Sequence, residues 1–112
     1  MSARTQVFLW IGQRASAAVL ALCVLVHLCT NVYAVRGGLS AAEILARTQG
    51  NVAWLAFYTV FVFAVAVHVP IGLRAILSEW VGWRDGSRDL ALWVFGAVLA
   101  VMGVRAVFGV FG

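Results

Sequence analysis

Charged residues interrupt this chain at only a few places, and three long apolar stretches run between them. The first is free of charge from Ala15 to Val35 and the second from Thr48 to Leu73, while the third, Leu90 to Val110, carries only Arg105 near its far end. A helix needs about 20 residues to cross the hydrocarbon core of a bilayer. The pattern therefore predicts an all-α membrane protein of one domain, with three spanning helices over about residues 11–35, 52–77 and 90–110. Between the first two, Arg36-Gly37-Gly38 reads as a helix stop. Ser40 then caps a short amphipathic helix, Ala41 to Arg47, suited to the membrane surface. Between the last two, Trp80 and Trp83 suit an interface, and Gly82 and Gly86 a turn. Gly96, Ala100 and Gly103 recur at a spacing that favours close helix packing. The chain holds no internal repeat, low-complexity tract or linker.

Composition excludes the main soluble classes. The 112 residues are 64% hydrophobic and only 11% charged, against roughly a quarter charged in a soluble domain, so a self-contained water-soluble enzyme is ruled out. The basic residues are eight arginines and the net charge is +4. In a soluble protein that balance would suggest nucleic acid. Here the arginines flank apolar spans, where basic residues set orientation, and no nucleic-acid surface is needed. With three crossings, Arg4, Arg14, Arg74, Arg84 and Arg88 fall on one side and Arg36, Arg47 and Arg105 on the other. The positive-inside rule then predicts a cytoplasmic N-terminus. No polar domain follows the first span as it would follow a signal peptide, so that span is expected to be retained. Cys23 and Cys29 are six residues apart, about 240° around a helix, which excludes a disulfide within it.

Both histidines, His27 and His68, lie inside predicted spans. An ionisable group in hydrocarbon is costly and points to function by default. On a helix, His68 shares its stripe with Phe57, Phe61, Ala64, Gly72, Ala75 and Glu79, and His27 with Ser16, Leu20, Cys23, Asn31 and Ala34. Small neighbours leave room beside an imidazole, and a flat macrocycle held by neutral imidazole on its iron would use that room. Counting from Arg14 and Arg74, His27 lies roughly 20 Å and His68 roughly 9 Å from the same membrane edge. A height difference of about 10 Å makes them poor opposite faces of one haem. Each is expected to take its second ligand from another polypeptide.

His68-Val69-Pro70-Ile71-Gly72-Leu73-Arg74, with Glu79 following, resembles the second-helix motif of the cytochrome b membrane-anchor subunits of succinate dehydrogenases and fumarate reductases. Gln13-Arg14-Ala15-Ser16-Ala17 is similar to the segment that opens the first helix in that family. The resemblance implies a haem b anchor subunit that passes electrons between an iron-sulfur subunit, fed by a flavoprotein, and the membrane quinone. It implies His68 as an axial haem ligand, Arg74 near the haem propionates or the quinone, and Arg14 and Ser16 at the quinone. Trp10, where many members have a serine, is assigned to the same quinone site. Gln13 and Ala17 depart from the family's histidine and glycine. His27 looks like the first-helix ligand of the two-haem branch, which implies one or two haems shared with a second anchor subunit or a second copy of this chain. The location implied is the bacterial inner membrane. The alternatives are a haem-free structural anchor and a haem b subunit of another membrane oxidoreductase. A small proton-coupled transporter would need a membrane-embedded carboxylate, and all four acidic residues lie in loops or at span ends.

Overall fold

The computed structural model describes residues 2–112 and consists of helices in an antiparallel up-and-down arrangement. Helix α1 runs Ala3–Arg36, α2 Ala41–Thr48, α3 Val52–Ile76 and α4 Gly86–Phe111, and α3 continues into a π-helical turn at Leu77–Val81. α1, α4 and α3 with its π-helical extension are each long and apolar enough to cross a membrane. Three helices of spanning length stand as expected, and α1 begins at Ala3, more than two turns before residue 11. Ser2 caps it by accepting from the Thr5 backbone N–H, and no glycine or proline breaks the run from there to Arg14 except Gly12, which α3 covers. At 1.5 Å per residue, α1 is about 51 Å long against a hydrocarbon core of about 30 Å.

The loops follow their sequence chemistry. α1 stops at Arg36, and Gly38 takes φ +64°, a backbone conformation that glycine accepts without strain. Ser40 and Glu43 form a reciprocal capping box on α2. At the end of α2 the buried Thr48 donates its hydroxyl to the Val110 carbonyl (2.8 Å), and the Gly50 N–H donates to Phe111 (2.9 Å). The α1–α3 connection is thereby tied to the far end of α4. At the opposite end the wide turn closes at Gly82 (φ +77°), where the Trp83 N–H reaches the Leu77 carbonyl and Arg84 Nε the Ser78 carbonyl. Trp80 is exposed as an interface residue should be, whereas the Trp83 indole is held by Asp85 and Ser87.

α3 is the centre, with α1 packed on one side and α4 on the other. Toward α4 the contact runs over glycine. A Cβ at Gly103 would lie 2.5 Å from Val62 Cγ1, and one at Gly96 3.0 Å from the ring of Pro70. Pro70 cannot donate to the Ala66 carbonyl, and Gly96 is the residue that fits beside both. Toward α1, Gly12 admits Ile71 and Gly72 admits the Gln13 side chain. The small buried core comprises Cys23, Ala64, Leu92 and Val107, with large side chains such as Leu22, Val35 and Trp93 turned outward. That distribution belongs to a chain whose solvent is lipid.

Candidate functional site

The seam between α1 and α3 holds both histidines, at different levels. His68 faces the buried Ser16 of α1, with Ser16 Oγ 3.3 Å from His68 Nδ1. The same hydroxyl donates to the Gln13 carbonyl, 3.1 Å away. The buried Ala64 lies one turn before His68 in α3, and the ring has no hydrogen bond at Nε2 among the described residues. Its Nδ1 is thus engaged by the protein while its Nε2 lone pair or proton is left to another partner.

His27 is enclosed by aromatic rings. Its centroid lies 5.5 Å from Phe61 and 6.0 Å from Tyr58, both edge-on, and its Nδ1 is buried without a partner. Trp54, Phe57, Tyr58 and Phe61 form one continuous aromatic cluster below it. Phe61 shares the stripe of His68 on α3, and the antiparallel register brings it to His27 of α1. The room expected beside His68 at Gly72 is taken by Gln13, whose Nε2 would be 3.2 Å from a Cβ there. Gln13 Oε1 is itself buried and unpartnered. Ser16, level with His68, is eleven residues from His27 along α1, and Phe61 and Tyr58 beside His27 are seven and ten residues from His68 along α3, so the two histidines are separated by roughly 10–16 Å in height.

The remaining predicted residues fall into two groups. Arg14 and Trp10 are exposed at the N-terminal end of α1, with the guanidinium over the indole at 5.4 Å. Ser16 is turned away from them into the seam. Arg74 lies elsewhere, donating through Nε to Asp89 Oδ1 at 3.3 Å. The same oxygen receives Arg88 at 2.9 Å, and Arg88 also reaches Ser78 Oγ. Two guanidinium groups therefore share one carboxylate oxygen at the cleft where α3 meets α4, which leaves an excess of positive charge. Arg74 and Asp89 line a cavity of about 650 Å³ together with Thr5, Leu9, Ile71 and Trp93. Arg14, Ser16 and Trp10 do not line it. Sequence reading missed Arg88, only 5% exposed, because an arginine beside a span reads as a topology signal. The signal available was Arg88-Asp89 itself, an ion pair at the start of a helix.

Among the described residues, no three His, Cys, Asp or Glu side chains converge as a metal-binding group. A haem iron asks less of this chain, since axial ligation needs one imidazole with a bare nitrogen. His68, with one ring nitrogen held by the protein and the other free, fits that requirement.

No curated protein and no solved structure matches the chain significantly. The family model of the succinate dehydrogenase/fumarate reductase transmembrane subunit matches residues 1–104, nearly the whole length. With its three apolar helices and the His68 to Arg74 motif in place, the chain belongs to the succinate dehydrogenase/fumarate reductase transmembrane subunit family.

Proposed function

We propose that the chain is the haem b-binding anchor of a succinate:quinone oxidoreductase in a bacterial inner membrane, with its N-terminus in the cytoplasm. The observation that carries this reading is His68: an imidazole at membrane depth, braced by Ser16 at Nδ1 and free at Nε2. When bound, haem b supplies a one-electron carrier between an iron-sulfur subunit and quinone. His68 would hold the iron. Arg74, drawn toward Asp89 but sharing it with Arg88, keeps positive charge available for a propionate or a reduced quinone.

Arg14 and Trp10 are the proposed quinone contacts of this chain. Both face outward, so a site built on them is completed by the iron-sulfur subunit or a second anchor chain. The second ligand of the haem comes by the same reasoning from a partner anchor or a second copy. His27, which the resemblance implies as a ligand for a second haem, has an unpartnered Nδ1 and no brace, so the proposed haem rests on His68 alone. The flavoprotein and iron-sulfur subunits carry the succinate chemistry, for which this chain has neither a nucleotide motif nor a cysteine array.

Purifying the complex with His68→Ala and recording its reduced-minus-oxidised spectrum tests the reading. Loss of the haem b bands with flavin and iron-sulfur signals retained is expected. An unchanged spectrum would sink the assignment of His68 as the haem ligand.

A further inference from the structure

A serine hydroxyl has one hydrogen to donate and lone pairs to accept with. In Ser16 that hydrogen goes to the Gln13 carbonyl at 3.1 Å. Toward His68 Nδ1, 3.3 Å away, the hydroxyl is left only as an acceptor. The proton of that bond therefore sits on Nδ1, and a neutral imidazole with its proton on Nδ1 has a bare Nε2. We infer that Ser16 is a positioning residue for His68: it selects the Nδ1–H tautomer and fixes the ring so that the Nε2 lone pair is presented for coordination. The use of that lone pair rests on the haem reading; the tautomer does not.

Three features support the assignment. Ser16 is 6% exposed, so water does not compete for either of its bonds. Its helix places it four residues beyond Gly12, whose missing side chain lets α1 approach Ile71 and so brings the hydroxyl within reach of α3. His27 offers the internal contrast, since no hydroxyl meets its Nδ1. Ser16 thus serves the histidine rather than the quinone to which the motif assigned it. A hydroxyl is a neutral acceptor, so it orients the imidazole without the stronger basicity that a carboxylate partner would confer.

Two measurements test this. In the haem-free full chain in lipid bilayers, ¹⁵N-histidine NMR gives two ring systems, and His27→Phe leaves only that of His68. The expected result is a proton on Nδ1 of His68, a shift of population toward Nε2–H in Ser16→Ala, and recovery in Ser16→Thr. A proton on Nε2 in the unaltered chain, or the same tautomer in Ser16→Ala, overturns the inference. In the intact haem-loaded complex, Ser16→Ala is expected to raise the haem midpoint potential, because the ligand becomes a weaker donor, and to move the low-spin EPR signal, with Ser16→Thr near the original values. An unchanged potential and signal in Ser16→Ala overturn the positioning role. Haem retained in His68→Ala would instead sink the ligand reading and leave the tautomer result standing.

Discussion

His68 and His27 occupy the same helix seam and meet the same difficulty by different means. Each places an ionisable ring at a depth where water is scarce. At His68 the neighbours are small and one hydroxyl satisfies one nitrogen; at His27 the neighbours are aromatic and one nitrogen is buried with nothing to bond. The difference shows that an intramembrane histidine is defined by what meets its nitrogens rather than by its depth. One ring is braced for a ligand, and the other is packed like a hydrophobe that carries an uncompensated polar atom.

The sharpest break of this comparison is to exchange the roles by mutation. Haem per flavin in the purified complex is expected to fall to background in His68→Ala and to stay at its original value in His27→Leu. Haem halved in His27→Leu would show that the unbraced ring is a ligand too. Next in size is a change on the other face of α3. Gly103→Ala drives a methyl into Val62 and is expected to cost about 1–3 kcal/mol, read as a lower Tm of the complex, with Val62→Ala restoring part of it. The haem spectrum of the surviving complex should not move; if it does, the histidine seam is not independent of α4.

A smaller effect is expected in the stability of His27→Leu. Removing a buried unpaired nitrogen relieves a penalty of about 1–3 kcal/mol, part of which is spent on the changed packing against Phe61 and Tyr58. The Tm should hold or rise, and a clear fall would mean that the ring has a polar partner supplied in the complex. The smallest effect lies in the α3–α4 loop, far from both rings. Bonds from Ser87 and from the Trp83 indole hold the Asp85 carboxyl below its ordinary value. A lowered folded pKa stabilises the loop above the unfolded value of about 3.9, and this is lost as pH falls through the lowered one. Trp83 fluorescence, taken as the difference from Trp83→Phe, should therefore hold steady down to about pH 4 and change below it, with no accompanying change at the haem.

The three spans were legible because lipid leaves a plain mark, a run of about 20 apolar residues bounded by arginine and glycine. The Ser40 cap and the Gly96 and Gly103 contacts were legible for local reasons, a capping residue and a spacing. The start of α1 was not, since Arg4 and Arg14 read as the outer edge of a span although a helix can run past them into the interface. The site was half legible. Its histidines and Arg74 stood out by type, but Ser16 meeting His68 and Phe61 meeting His27 depend on the register between two antiparallel helices. No periodicity within one helix contains that register. Asp89 as the partner of Arg74 escaped for the same reason, because it belongs to the next helix.

That α3 packs against both α1 and α4, and meets them in chain order, has a bearing on biogenesis. Synthesis proceeds from the N-terminus, so each span after the first finds a packing partner already in the bilayer. The seam with both histidines is settled by the first two spans, and the glycine-lined face waits for the third. The face of α3 that carries His68 is therefore written into a two-helix hairpin before α4 is made.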